Sequence, residues 1–320
     1  MAIAVPAEQT LIREDHAHRS EGFWGSAFRR MRKNKVAMAS ATFIIALALI
    51  AIVVPEFYPY SYSEQDYAVV TQGPSWDHPM GTDQLGRDIM IRLIFGARIS
   101  LTVGVVVQAV ILLIGVPAGL LAGYAGGKTD TVIMRTVDVL YALPSLLFVI
   151  IIMTYLRGTL GSDPSGFWHS ISWLDKKTGG LIGVYLGLGM IGWLTVSRIV
   201  RANTMSLKER EFSEAARALG ANRRRIMFRH LLPNTIAAIV VATTLGIPSA
   251  ILSEAGISFL GLGVIPPMPS WGLMISEAIP NMRAHPHMLI FPAAILSLTV
   301  LAFNFLGDGL RDALDPWMKR

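Results

Sequence analysis

The chain has 320 residues, of which 52% are hydrophobic and only 16% charged, and its mean hydropathy is +0.50. Soluble domains carry about 25% charged residues, so the polar side chains here are too few to cover a globule of this size. With no cysteine there are no disulfides, thiol nucleophiles, cysteine-ligated zinc or iron–sulfur clusters. The net charge of +6 fits either a nucleic-acid partner or the cytoplasmic loops of a membrane protein, and its distribution decides between them.

The tail, residues 1–35, is basic. Phe23, Ala27 and Met31, flanked by Trp24 and Phe28, recur at helical spacing against Arg29, Arg30, Arg32 and Lys33. Two readings stay open: an interfacial helix on the inner leaflet, or a basic flank that orients the following span. That span, 36–54, is uncharged and too long for a signal-peptide core, so it is expected to stay uncleaved. Further apolar stretches follow at 99–122, 131–156, 181–198, 234–253 and 288–307. About 20 helical residues cross a ~30 Å hydrocarbon core, and six such stretches predict an all-α, six-span membrane protein.

Lysine and arginine set the expected orientation. The tail holds seven, 123–135 two, the 198–233 loop nine and the C-terminal tail three. These twenty-one face seven on the other side, three in 55–98, three in 154–181 and one in 254–288. Both termini are therefore expected in the cytoplasm. A nucleic-acid patch would not alternate in step with the spans, so nucleic acid is set aside as a partner.

Within the spans, Gly115, Gly119 and Gly123 form overlapping GxxxG repeats, and Gly183 and Gly187 form another. Such spacing lets helix backbones approach closely. Pro117, Pro144, Pro248 and Pro292 each fall in a different span and predict kinks. Intramembrane polar residues usually face protein or water, which makes Gln108, Arg135, Asp138, Ser249 and Asn304 candidates for a translocation path. For Arg135 and Asp138, three apart on one helix, mutual pairing is the alternative. Residues 122–129, AGYAGGKT, resemble a relaxed phosphate loop, but they follow a span rather than a strand and are expected to be a Gly-rich turn that binds no ATP.

The most informative stretch is 206–233. Ser206 with Glu209 reads as a capping box that starts a helix at Leu207. Phe212, Ala215, Ala216 and Leu219 then make one apolar stripe, Gly220 ends the helix, and Asn222 caps a second short helix running to Leu232 before Pro233. Five arginines (217, 223, 224, 225 and 229) surround it. A seat in another protein's groove and an amphipathic loop on lipid headgroups both fit this pattern.

Residues 214–220, EAARALG, continuing to 230–233, HLLP, resemble the EAA loop of ABC importer permeases. Residues 81–88, 96–101, 254–263, 266–267, 270–272 and 304–312 agree with it, and together they are similar to the C-type permease subunit of dipeptide, oligopeptide and nickel importers. The resemblance runs from about Asn34 to Pro316. It implies the ABC type I importer permease fold in a prokaryotic inner membrane. It also implies a homologous B-type permease, one or two ATPase subunits, and a periplasmic or lipid-anchored binding protein as partners. The 207–219 helix would couple to the ATPase through Phe212, Glu214, Ala215, Ala216, Arg217, Leu219 and Gly220. This chain would hold no cofactor and catalyse no covalent step, ATP and magnesium being bound by the partner ATPases. Peptide is the implied cargo, with nickel or glutathione as the alternative.

The extracellular segment 55–98 reads as a small cap where a binding protein docks, with Asp77, Asp83, Arg87 and Asp88 as candidates, or as a lid without that role. Residues 157–180 lengthen a connection that is usually short in that family. Their Trp168 and Trp173 are candidates for interface anchoring or for docking. An ion-coupled secondary transporter lacks a second mid-span acid, and a membrane hydrolase lacks metal-ligand spacing among its histidines and a serine at a nucleophile elbow.

Overall fold

In a computed structural model the chain is described over residues 23–161 and 166–315, and the described part is almost wholly helical. In chain order the main helices are α1 (Phe23–Lys33), α2 (Lys35–Val53), α3 (Ile89–Ala125), α4 (Gly127–Tyr141), α5 (Ser145–Gly161), α6 (Phe167–Lys177), α7 (Leu181–Lys208) and α8 (Glu211–Ala218). They are followed by α9 (Arg223–Phe259), α10 (Trp271–Ala278) and α11 (His287–Leu314). Five helices, α2, α3, α7, α9 and α11, are each long and apolar enough to cross a membrane, and the bent pair α4–α5 passes the same test when taken together as one span. In a bilayer core nothing but the chain itself can satisfy backbone N–H and C=O groups, which favours unbroken helical ladders of this length.

The crossings alternate between two ends. At one, which we call the basic end, Asn34 begins α2 beside Gly309 of α11, and Arg30 donates to the Asp315 carbonyl at 3.0 Å. The first and last described residues therefore share an end with α8. At the other, α10 and the segment between α2 and α3 form a cap.

Parallel helices α3 and α7 touch backbone to backbone. A Cβ built on Gly115, Gly119 or Gly123 would fall 3.0, 2.5 or 2.7 Å from the carbonyl oxygens of Trp193, Ser197 and Arg201 in turn. Steps of four on one helix meet steps of four on the other, so the GxxxG repeats are the seam of the bundle. On α7, Gly183 and Gly187 face Met153 and Val149 of α5, while Gly189 and Gly192 face Val110 and Ile111 of α3. The buried core around Val103, Val107, Val184 and Val200 fills the remaining space.

Two spans depart from the sequence expectation. The stretch 131–156 is no single rod: α4 and α5 meet at 90° across residues 142–144. Pro144 has no N–H to give, and it disfavours helical geometry at Leu143. Pro117, Pro248 and Pro292 instead lie inside continuous helices. The helix after Asn222 does not stop before Pro233. It passes through a π-helical stretch, Ile226–Leu231, into the regular α-helical part of α9, which Pro233 enters at its second residue.

Residues 122–129 are the end of α3 and the start of α4, joined by Gly126 and Gly127 with φ of 64° and 51°. That is a helix–helix turn, as the glycines suggested. Residues 1–22 and 316–320 lie outside the described residues.

Gly119→Leu should destabilise the chain by more than the ~1–3 kcal/mol of ordinary overpacking, because what it meets is backbone. Gly158→Leu, where nothing lies within 4 Å, should leave thermal unfolding of the detergent-purified chain within about 0.5 kcal/mol of the parent. Equal melting of the two variants would contradict the seam.

Candidate coupling loop and translocation cavity

Helix α7 runs on through Ser206 to Lys208, so the capping box expected at Ser206–Glu209 does not form. A Ser-x-x-Glu sequence in the last turn of a helix already under way has no free N–H groups to cap. The break comes at Arg210, in extended geometry, and α8 begins at Glu211 rather than Leu207. Glu211 and Glu214 fall in its first turn and Arg217 in its last, the order that complements the helix dipole. Gly220 at φ +79° turns the chain back, with Ala221 N–H donating to the Ala216 carbonyl at 3.0 Å. Asn222 then caps α9 by accepting from Arg225 N–H at 2.8 Å.

This two-turn helix is held on one side. Ser213 donates to the Leu207 carbonyl at 2.9 Å and the Arg217 guanidinium to the Lys208 carbonyl at 2.7 Å. Lys208 in turn donates to the Gly123 carbonyl at 3.1 Å, tying the seam's end to the loop. Ala216 packs with Ile226, Met227 and Leu231, against Tyr124 and Leu207. The expected single stripe is therefore split. Ala216 faces inward with Ser213 and is withdrawn from the outer surface, whereas Phe212, Glu214, Ala215, Arg217 and Leu219 are exposed. Leu219 is 88% exposed, an unusual position for leucine on a structured turn.

A cavity of about 790 Å³ opens among α3, α5, α7 and α9, within the about 300–1,000 Å³ common for small-molecule sites. Its walls are mostly apolar, with Gln108, Ser145, Thr195, Ser249 and Ser253 as polar points. The structure thus brings Gln108 and Ser249 together, with Gly246 leaving room for the Gln108 amide. The other three path candidates lie elsewhere. Asp138 accepts from Arg198 at 2.7 Å, and that guanidinium also stacks on Tyr141 at 4.3 Å, so Asp138 pairs across helices and not with Arg135. Arg135 is exposed on α4, and Asn304 sits on α11, which contributes no wall.

At the cap, three of the four docking candidates are buried. Asp83 bonds Arg87 Nε at 2.6 Å, and Arg87 and Arg92 each reach Glu277 Oε2 at 3.0 and 2.7 Å. Asp88 caps α3 by accepting from Ile91 N–H at 2.9 Å and meets His78 Nδ1 at 2.8 Å. Charges locked this way hold the cap and cannot reach out to a partner. Asp77, Trp168 and Trp173 remain exposed, the last beneath Lys177 at 5.1 Å. Burial pushes the Glu277 carboxyl above its usual range, and the Arg87 guanidinium pulls it back. Glu277 and Arg92 carry no local signal that joins them, being 185 residues apart.

In the connection 157–180, α6 is fixed by Ser172 donating to the Leu160 carbonyl at 2.6 Å. Asp175 accepts from Ile182 N–H at 3.0 Å at the start of α7.

Residues 115–320 match the family described as the binding-protein-dependent transport system inner membrane component, which takes in α7, α8, α9 and the seam. The chain belongs to that family. Residues 22–74 match the N-terminal transmembrane domain of oligopeptide transport permease C. The oligopeptide transport system permease protein OppC of Bacillus subtilis is 40% identical over 96% of this chain and 94% of its own length. DppC, the dipeptide transport system permease protein of the same organism, is 42% identical over 92% and 86%. GsiD, the glutathione transport system permease protein of Pectobacterium atrosepticum, is 41% identical over 92% of each. Among solved structures, a chain of the inward-facing MetNI methionine ABC transporter aligns with a TM-score of 0.55 and 20% identity, covering 71% of this chain and 98% of that one. The chain is thus a multi-pass inner-membrane permease component with the type I ABC importer fold.

Arg92 is 1% exposed, and removing it would leave buried carboxylates short of a cation. Arg92→Ala should cost about 3–5 kcal/mol and speed limited proteolysis within residues 60–85, with Glu277→Gln milder. Unchanged cleavage in Arg92→Ala would show that the cap does not depend on this network.

Proposed function

We propose that this permease component moves di- and oligopeptides across the cytoplasmic membrane by alternating access, paired with a homologous permease and driven by cytoplasmic ATPases. The observation that carries this is α8, a short helix braced against the ends of α3, α7 and α9, with Phe212, Ala215 and Leu219 exposed among Glu214 and Arg217 on its outer side. Force applied to Phe212, Ala215 and Leu219 would pass through Ala216, Ser213 and Lys208 into the α3–α7 seam. The basic end faces the cytoplasm on this reading, consistent with the excess of lysine and arginine there. ATP and magnesium are held by the ATPases, and this chain's part is mechanical. A binding protein would deliver cargo to the cap, where Asp77, Trp168 and Trp173 are the exposed candidates.

The cavity walls suit loosely held cargo: mostly apolar, with a few amide and hydroxyl groups able to hydrogen-bond peptide backbone but no charged side chain among them. The named cargoes of the similar OppC and DppC proteins support peptides. Glutathione, itself a tripeptide, is the second reading, supported by the similar GsiD. Nickel fits less well, since no group of three or more metal-ligating side chains stands among the described residues.

Uptake of a labelled dipeptide and tripeptide, in cells lacking the chain and complemented with it, tests both cargo and coupling. Unlabelled peptide should compete, glutathione less and nickel not at all. Gly220→Val should abolish uptake with the amount of chain in the membrane unchanged. Its backbone at φ +79° is strained by about 1–2 kcal/mol for an L-residue, and more for a β-branched one. Normal uptake by that variant would contradict the role given to α8, and competition by glutathione alone would reassign the cargo.

A further inference from the structure

Helix α1 is not absorbed by the transport reading, and much of its surface is exposed. One residue, Asn34, separates it from the spanning helix α2, with extended geometry at φ −83°, ψ 97° and a side chain that accepts from Ala37 N–H at 3.1 Å. So short a connection keeps α1 at the depth where α2 leaves the bilayer. One face of α1 is fixed to protein: Ala27 is buried, and Arg30 reaches the Asp315 carbonyl beyond the end of α11.

Part of the rest of the helix surface is exposed. Trp24 and Phe28 are 55% and 59% exposed, one turn apart on one flank. Beside them Arg29, Arg32 and Lys33 are exposed, and Lys35 follows at the start of α2. The Arg32 guanidinium lies 6.0 Å from the Phe28 ring centroid, at the border between the two flanks. No acidic residue occurs in α1. Val36, Ile45 and Leu49 of α2, a helix long and apolar enough to cross a membrane, are exposed as well.

An occupant of this surface must be apolar beneath and negative above, and must begin at the depth where α2 leaves the bilayer. We infer that α1 binds the anionic phospholipid headgroups of the leaflet at the basic end, with Phe28 in the acyl boundary and Arg32 and Lys33 on the phosphates. This goes beyond the transport reading and holds whatever the cargo. Its consequence is that the end of α11, through Arg30 and Asp315, is tied to a lipid-held element, so leaflet charge bears on how that end of the bundle sits.

The absence of cysteine makes the test direct. The full chain carrying Phe28→Cys, labelled with an environment-sensitive fluorophore, is reconstituted in phosphatidylcholine vesicles with or without phosphatidylglycerol. A nitroxide-bearing lipid and aqueous acrylamide serve as quenchers. With phosphatidylglycerol the label should be quenched by the lipid nitroxide and protected from acrylamide. Replacing Arg32 and Lys33 by Gln in the same labelled chain should remove the phosphatidylglycerol dependence, each charge contributing about fivefold to the partition. Equal acrylamide access in both compositions would overturn the inference. So would protection from both quenchers, which would mean that protein covers α1.

Discussion

The architecture rests on the contact between α3 and α7, where three glycines of one helix meet three carbonyls of the other. In a bilayer there is no hydrophobic gain from pressing one apolar helix on another, so association needs close packing over a long run. Gly115, Gly119 and Gly123 supply it by removing the atoms that would hold the backbones apart. Neighbouring elements are placed from this seam: α5 packs on the opposite glycines of α7, and α9 packs where Gly104 receives Ile247 and Ile251. The cap is founded on the first turns of α3, through Asp88 and Arg92. The loop that carries α8 hangs from the last turn of α7, through Lys208 and Leu207.

One pair of helices therefore joins a polar cap at one end to a projecting helix at the other. The polar side chains are used sparingly between them. Glu254, fully buried near the cap end of α9, is satisfied by Ser258 at 2.6 Å and Ser100 at 3.3 Å. Asp130 and Arg201 pair at the basic end, and Asp138 with Arg198 nearby. The cavity between the two ends is lined by neutral groups. The 90° bend between α4 and α5 borders this cavity, since Ser145 and Leu146 at the start of α5 line its wall.

Much of this was legible in the residues because the bilayer makes length and apolarity sufficient signals. Uncharged stretches of about 20 residues mark crossings whatever their partners are, and the four-residue glycine spacing marks a helix contact. The family was legible too, because its motif blocks are spread along the whole chain. What escaped were contacts between residues distant in sequence. Asp138 had Arg135 close by in the chain but finds Arg198, 60 residues on, because α4 lies against α7. Asp83 and Arg87 read as exposed docking charges because nothing local announces Glu277. Ala216 read as part of an outer stripe because an eight-residue helix has too few turns to show which side the rest of the fold will cover. Ser206 and Glu209 showed a start signal where α7 had not yet ended, since a capping pattern has meaning only where N–H groups are free.

The central claim is that α8 is the point at which an ATPase engages this chain, and Leu219 is where that engagement is most directly read. A photo-activatable amino acid at position 219, irradiated in the native membrane and analysed by mass spectrometry, reports what the outer face of α8 touches. The account predicts a stoichiometric crosslink to a cytoplasmic ATPase subunit. Crosslinks to lipid alone, or to none of the proteins that purify with the chain, would contradict it and make α8 a membrane-surface helix.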